Sequence, residues 1–163
     1  MLKEELKSKI SGLLPTAIFE EGTEPSPDSW LNIQIASAEW VAFAEKLRED
    51  ESLAFDFLFC VTCIDWWGTP TGKDVISMVY HLTSTIHKHN IVVKVKLNRA
   101  QPEIGTVCQI WRTAEFHERE AYEMFGVNFM GHPDLRLLIL PEGWEGKNPM
   151  RKDFEDPVNM IKL

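Results

Sequence analysis

The spacing of apolar residues predicts two amphipathic helices in the first third of the chain. In the first helix, apolar residues recur every three or four positions until Pro15 ends the pattern: Leu2, Leu6, Ile10, Leu13 and Leu14. A second stripe of the same spacing consists of Trp40, Val41, Ala44 and Leu47. Ser37 precedes this stripe as a candidate N-cap, and Glu39 lies in the first turn, where the helix dipole favours a negative charge.

Alternation of apolar and polar residues predicts four strands. The first covers residues 30–35, after an exposed loop predicted at residues 20–29, and the others cover residues 55–67, 75–82 and 91–97. The links between the later three are short, which favours an antiparallel meander, because parallel neighbours need a crossover of about a dozen residues or more. One of these links is a Gly- and Pro-rich turn at residues 68–72, and a loop is predicted at residues 102–111.

A third helix is predicted over residues 116–125, with Gly126 as its left-handed C-terminal cap. The fold class is therefore α+β, with a small mixed or mostly antiparallel sheet packed against helices. We expect residues 1–140 to form a single globular domain, which is within reach of a 163-residue chain. Residues 141–163 are rich in Pro and Gly and predict an extended C-terminal docking tail, whose removal should leave the stability of the domain nearly unchanged.

Composition and charge exclude several classes of function. The net charge of −8 argues against a broad surface for nucleic acids or anionic lipids, which requires clustered Lys and Arg. No apolar run approaches the ~20 residues that cross a bilayer. Charged residues interrupt the apolar residues at the N-terminus, which is unlike a signal peptide. The three cysteines indicate reduced thiols in a cytosolic compartment. We therefore expect an intracellular protein that reaches a membrane only through a partner.

Two motifs resemble metal or redox sites. Cys60 and Cys63 have CxxC spacing, but both lie in a predicted strand, where residues three apart point to opposite faces. No second pair completes a four-ligand set, and Cys108 stands alone, which favours buried structural cysteines. His87 and His89 share one strand face near a predicted hairpin, which is compatible with a weak metal site. A solvated turn is the simpler interpretation of these two histidines.

The third predicted helix concentrates charge in its first two turns. Its spacing is not HExxH, because Ala121 stands where the second His is required. One hypothesis is a free-standing metal-dependent enzyme with His117, Glu120 and Glu123 as ligands, although two-metal carboxylate bundles need such a motif twice. The alternatives are a solvated face with local ion pairs and a face that binds a partner through Arg119 and a neighbouring Glu. Glycine-rich nucleotide loops and GxSxG are absent from the sequence, so no active site is predicted.

Three stretches in the C-terminal third resemble the signature of a known family. Residues 117–136 have the sequence HEREAYEMFGVNFMGHPDLR, residues 138–146 have LILPEGWEG, and residues 149–154 have PMRKDF. These stretches resemble the C subunit of NADH-quinone oxidoreductase, which forms the 30 kDa subunit family of respiratory complex I. Looser similarity upstream, including Ile64, Asp65 and Trp66, extends the resemblance to residues 54–154. Leu137 stands where members often carry a second Arg, which leaves the exact complex open.

The resemblance implies a non-catalytic peripheral-arm subunit of a complex I-like, proton-translocating NADH:quinone oxidoreductase, on the cytoplasmic side of the inner membrane. It implies no cofactor on this chain, with Fe–S clusters, FMN and quinone on partner subunits. The implied partners are a D-like large subunit at the quinone site and a neighbouring Fe–S subunit. The alternative is the equivalent subunit of a membrane-bound energy-converting hydrogenase or a ferredoxin-dependent relative. The predicted partner-docking residues are Glu118, Arg119, Glu120, Arg136, Trp144, Arg151, Lys152 and Phe154.

Overall fold

The computed structural model describes residues 3–20, 30–70 and 74–156 of the chain. Within these ranges the chain forms three α-helices, seven strands and one 3-10 turn, at Ser37–Glu39. The helices and strands are α1 Lys3–Leu13, β1 Ile18–Glu20, β2 Leu31–Ile35, α2 Trp40–Glu49, β3 Phe57–Asp65, β4 Val75–Ser84, β5 His89–Asn98, β6 Glu103–Gly105, α3 Ala114–Phe125 and β7 Asn128–Met130.

Five strands form one mixed sheet in the order β1-β2-β5-β4-β3. Strands β3, β4 and β5 pair antiparallel, which confirms the meander predicted from their short links. Strand β2 pairs parallel to β5, so the chain crosses over between them through α2, β3 and β4. Strands β6 and β7 precede and follow α3 along the chain, and they pair in parallel to form a second, two-stranded sheet. The α+β class with a mixed sheet is confirmed.

The core joins one face of the large sheet to the helices. The Trp40 ring at the start of α2 lies 4.2 Å from the Tyr80 ring of β4 and 6.4 Å from the Trp111 ring, measured between centroids. Trp111 stands just before α3, and its indole N–H donates to the backbone carbonyl of Phe55 at 2.9 Å. Aromatic packing therefore fixes both α2 and the start of α3 relative to the sheet.

Two expectations for the first half of the chain need correction. Ser37 is not an N-cap, because it lies inside the 3-10 turn that leads into α2, and no side-chain hydrogen bond caps that turn. Strand β1 was not predicted, since three residues are too few to show an alternation. Glu20 belongs to this strand, and the rest of the loop predicted at residues 20–29 lies outside the described residues. Residues 71–73 of the predicted turn also lie outside them.

The cysteines and histidines occupy structural positions. Cys60 and Cys63 lie on opposite faces of β3, as predicted. The prediction of buried cysteines is confirmed for Cys63, whereas Cys60 and Cys108 are half-buried. His89 is buried, and its Nε2 contacts the carbonyl oxygen of Leu53 at 2.8 Å, so the prediction of a solvated turn is wrong for this residue. The exposed His87 binds the neighbouring carbonyl of Glu51 at 2.9 Å. Both histidines therefore hold the chain that follows α2 against the β4–β5 hairpin.

Candidate functional site: helix α3 and the C-terminal segment

Helix α3 buries three charged side chains. Glu118 is 0% exposed, Arg119 7% and Glu123 1%. The interpretation of this helix as a solvated face is therefore wrong for these residues. Glu118 and Arg119, which we predicted to contact a partner, bind groups inside this chain through their charged atoms.

Glu118 fixes the turn between β6 and α3. Its carboxylate accepts hydrogen bonds from the Thr106 hydroxyl, from the backbone N–H of Val107 at 2.9 Å and from the Cys108 thiol at 3.3 Å. Burial raises the pKa of Glu118, and the three hydrogen bonds offset this only in part. Burial also raises the pKa of Cys108, to about 12. These groups form a polar cluster around the buried Glu118, under the N-terminal half of α3.

This cluster contains a candidate ligand set for a metal ion. One ligand atom each from Cys108, Glu118 and His132 lies within 4.8 Å of the others, the sole such group among the described residues. However, Nδ1 of His132 accepts a hydrogen bond from the N–H of Asp134 at 3.0 Å, so its Nε2 carries the proton and donates it to the carbonyl of Glu115 at 3.1 Å. A metal-bound His instead donates its second ring N–H to an acceptor. We therefore interpret the cluster as hydrogen-bonded structure.

The metal ligands predicted for a free-standing enzyme do not converge. His117 is half-buried and Glu120 is exposed, whereas Glu123 is buried and holds backbone N–H groups. They do not form a ligand group within the described part of the chain. The structure therefore does not support this alternative.

Residues 132–140, which we call the α3 strap, run along α3 in the same direction as the helix. His132, the first residue of the strap, contacts the backbone carbonyl of Glu115 in the first turn of α3. Further along, Arg119 donates to two consecutive strap carbonyls, from Nε to Arg136 at 3.0 Å and from a terminal nitrogen to Leu137 at 2.7 Å. The buried guanidinium therefore satisfies backbone oxygens that no regular secondary structure pairs.

Glu123 holds the end of the α3 strap. Its carboxylate accepts hydrogen bonds from three consecutive backbone N–H groups, those of Leu138 at 2.8 Å, Ile139 at 3.0 Å and Leu140 at 3.1 Å. Arg119 thus binds the carbonyls of the strap and Glu123 its amides, each with the complementary charge. The side chains of Leu138 and Ile139 remain exposed, by 38% and 62%.

The C-terminal segment closes the other end of α3. In its described part, residues 141–156, the segment contains turns but no helix or strand. The N–H of Met150 donates to the carbonyl of Met124 at 3.1 Å, and Nε of Arg151 donates to that of Phe125 at 2.7 Å. These carbonyls belong to the last turn of α3, which has no intrahelical partners for them. Gly126 follows with φ of +74°, which confirms the predicted left-handed cap.

Asp65 at the end of β3 joins the C-terminal segment to the sheet. Its carboxylate, only 4% exposed, accepts from Arg99 at 2.8 and 2.9 Å, from the N–H of Lys152 at 3.0 Å and from the N–H of Trp67 at 3.1 Å. Arg99 also binds Asp153 of the segment. Burial alone would raise the pKa of Asp65, but these hydrogen bonds outweigh burial and lower it to about 2. The sequence pattern did not identify this role for Asp65 or Arg99.

The remaining predicted docking residues differ in accessibility. Glu120, Arg136 and Lys152 are exposed, whereas Trp144, Arg151 and Phe154 are half-buried. The rings of Trp144 and Phe154 lie 6.3 Å apart, and the Lys147 ammonium stands 4.4 Å from the Trp144 ring. The structure thus brings the two aromatic residues of the segment together on its surface, and their contact with a partner stays a prediction.

Comparison with known proteins matches the sequence of this chain to one family. Residues 33–158 match the sequence profile of the respiratory-chain NADH dehydrogenase 30 Kd subunit. The C subunit of NADH-quinone oxidoreductase from Chloroherpeton thalassium is 42% identical over 117 residues, which are 71% of this chain and 46% of that protein. The C/D subunit from Phocaeicola vulgatus is 40% identical over 126 residues, 74% of this chain and 23% of that protein. The C subunit from Roseiflexus castenholzii is 37% identical over 76% of this chain and 68% of its own length. The chain thus spans less than half of the first two relatives.

Solved structures show the same fold. A chain of the membrane-bound sulfane sulfur reductase, an archaeal respiratory membrane complex, superposes with a TM-score of 0.77 at 26% identity. That match covers 93% of this chain and 85% of the other. The trypsin-resistant fragment (1-134) of Nqo5 superposes with a TM-score of 0.67 at 24% identity, over 83% of this chain and all of the fragment. At this identity the second match is a likeness of fold.

Proposed function

This chain belongs to the family of the 30 kDa subunit of respiratory-chain NADH dehydrogenase, and from that premise we propose that it is a non-catalytic peripheral-arm subunit of a complex I-like NADH:quinone oxidoreductase. The observation that carries the proposal is the family match over residues 33–158, joined by relatives named as C subunits at about 40% identity. The reaction of the assembly is proton-translocating electron transfer from NADH to quinone.

The role of the chain in this assembly is structural. The buried charged groups of α3 form hydrogen bonds with backbone groups of the α3 strap and of the β6–α3 turn. These side chains therefore stabilise the fold of the chain. The tautomer of His132 disfavours a metal at the most compact ligand group in the described residues. The Fe–S clusters, FMN and quinone of the reaction accordingly belong to partner subunits, and this chain holds no cofactor.

The principal partner is a D-like large subunit. Two relatives, from Phocaeicola vulgatus and Bacteroides fragilis, are named as C/D subunits, and this chain matches 23% and 22% of their lengths, so each has ample length for a second protein. Covalent linkage of two subunits is practicable when they lie side by side in the assembly. A neighbouring Fe–S subunit is the second partner. The exposed Glu120, Arg136 and Lys152 and the half-buried Trp144, Arg151 and Phe154 form the docking set.

We place the chain on the cytoplasmic side of the inner membrane, held there by its partners. Among the described residues, no helix combines the length and apolarity required to cross a bilayer. A net charge of −8 also disfavours direct attraction to anionic lipids.

A second complex is a candidate because of one observation. The likeness to a chain of the sulfane sulfur reductase covers 93% of this chain. The chain would then be the equivalent subunit of a membrane-bound complex that uses another electron donor or acceptor. Such a complex could be an energy-converting hydrogenase or a ferredoxin-dependent relative. The subunits that accompany the chain distinguish the two candidates.

Isolation of the native assembly tests the proposal. The full chain, tagged and expressed at its natural level, is purified from mild-detergent extracts of membranes, and its partners are identified by mass spectrometry. We expect a D-like subunit, Fe–S subunits and an NADH-binding flavoprotein. A hydrogenase subunit in place of the flavoprotein would favour the second candidate, and recovery of the chain with none of these would contradict both. The purified chain alone should contain no stoichiometric iron, zinc or flavin.

A further inference from the structure

The α3 strap presents two apolar side chains on a backbone whose polar groups are already engaged. Leu138 and Ile139 are 38% and 62% exposed, although they are flanked by half-buried leucines. Their own N–H groups donate to Glu123. What faces solvent here is therefore mainly hydrocarbon, which costs free energy until another surface covers it.

Holding this backbone in place requires two buried charges. Removing a carboxylate or a guanidinium from water is costly unless hydrogen bonds replace the lost hydration. For Glu123 and Arg119, strap backbone supplies these hydrogen bonds: three amides to the former and two carbonyls to the latter. The geometry of residues 136–140 is thus fixed before any partner arrives, which lowers the conformational entropy lost on binding.

The surroundings of the strap indicate the chemistry of the partner. A groove of about 450 Å³ beside it is lined by Tyr122, by strap leucines, by Arg136 and by two exposed carboxylates, Glu142 and Glu145. The guanidinium of Arg136 is paired with Asp134 at 2.9 Å, so the two glutamates leave the groove with a net negative charge. A second copy of this chain bound through a two-fold axis would bring the same carboxylates together, and each copy carries a net charge of −8. Charge complementarity instead favours a partner whose apolar recess is bordered by Lys or Arg.

We propose that Leu138 and Ile139 insert into an apolar recess with a cationic rim on the D-like large subunit. Glu123 and Arg119 act as positioning residues that hold the two side chains outward. This inference rests on the proposed function, since it names a further contact, beside the docking set, between the chain and its principal partner.

Binding measurements with matched variants test the contact. The full chain is titrated with the purified D-like subunit of the same organism, and Kd is compared for the wild type, Ile139→Glu and Ile86→Glu. Ile86 is the matched control, because it is 68% exposed and lies in the β4–β5 hairpin. Loss of a central apolar anchor typically weakens binding by roughly tenfold to a hundredfold. We expect this loss for Ile139→Glu and an unchanged Kd for Ile86→Glu.

The outcomes separate this inference from the proposed function. If the wild type binds and Ile139→Glu binds equally well, the contact is wrong while the partner stands. Equal weakening by both variants would also overturn the contact, since it would report charge alone. A wild-type chain that does not bind the D-like subunit would contradict both. Thermal unfolding of each variant checks folding, and Ile139→Ala, which adds no charge, gives a second measure of the same contact.

Two further variants test the positioning role and the rim. Glu123→Gln should weaken binding although Ile139 is retained, and combined with Ile139→Glu it should add little, because both act on one contact. Full additivity would mean that Glu123 acts elsewhere in the fold. Glu142→Lys with Glu145→Lys should raise Kd, with a smaller difference in high salt. Tighter binding by this charge-reversed variant would overturn the cationic rim.

Discussion

Replacing Asp65 with Asn tests whether the C-terminal segment is part of the folded unit. The carboxylate of Asp65 binds Arg99 of the sheet and the backbone N–H of Lys152 in the segment. An amide keeps the shape of the side chain but loses the charge and one acceptor oxygen. The substitution therefore weakens the contact that joins the segment to β3, without creating a cavity.

The pKa of Asp65 gives the size of the effect. Burial raises this pKa, but the hydrogen bonds from Arg99 and from the N–H groups of Lys152 and Trp67 lower it from 3.8 to about 2. One pKa unit corresponds to about 1.4 kcal/mol, so ionised Asp65 contributes roughly 2 kcal/mol to the free energy of unfolding at neutral pH. For a chain of this length, such a loss lowers the Tm by about 4–8 °C.

The effect also has a defined dependence on pH. Because the pKa of Asp65 is lower in the folded state, its contribution is complete at pH values well above 3.8 and is lost as the pH falls through about 2. The wild type and Asp65→Asn should therefore differ at pH 7 and converge in stability as the pH approaches 2.

Urea unfolding at a series of pH values measures this difference, and trypsin cleavage after Arg151 and Lys152 reports whether the segment has detached. Asp134→Asn is the control, because its ion pair with Arg136 is exposed and contributes about 1 kcal/mol or less. Equal stability of Asp65→Asn and the wild type at pH 7 would refute the reasoning. So would a difference that persists unchanged in acid.

Two further predictions concern local geometry and the thiols. Gly126→Ala should lower the free energy of unfolding by about 1 kcal/mol or more, because φ is +74° and an added Cβ would lie 2.7 Å from Nδ2 of Asn148. Gly12→Ala in α1 is the control and should be neutral or slightly stabilising, because the space around Gly12 is open. Denaturant unfolding compares the two variants. Burial raises the pKa of Cys63 and Cys108 to about 12, so iodoacetamide at pH 8 should modify both thiols only as the protein unfolds. Modification of either at the rate of a free thiol in the native protein would contradict this.

Local sequence signals were sufficient for much of the fold. The helices α1 and α2, the β3–β5 meander and the Gly126 cap depend on periodicity, short links and backbone preference, all of which are visible in neighbouring residues. The parallel pairing of β2 with β5 joins segments about 60 residues apart, and no local pattern specifies it. The family resemblance on residues 117–154 identified the family, which the comparisons confirmed.

The orientation of the charges on α3 was the main feature that the sequence did not provide. Charged residues are rarely buried, so a solvated face was the natural prediction. A signal did exist, because Ala114, Glu118 and Ala121 follow the spacing of one helical face, and the flanking alanines indicate close packing. The roles of Arg119 and Glu123, however, depend on strap backbone 15 or more residues away.

The C-terminal segment also makes contacts that the sequence did not indicate. Sequence suggested a tail whose removal leaves stability unchanged, but the contacts of Met150, Arg151 and Lys152 with α3 and β3 predict that truncation after Gly143 destabilises the domain. Docking to a partner and attachment to the domain are compatible, since Trp144 and Phe154 are only half-buried.

The size and reactivity of the particle that contains this chain test the central claim most directly. Native electrophoresis of a mild-detergent membrane extract, followed by immunodetection of the chain and assay of NADH-dependent quinone reduction in the same band, gives both in one measurement. We predict that all detectable chain migrates in a large complex that reduces quinone with NADH. A chain that migrates as a monomer, or in a band without this activity, would contradict the account.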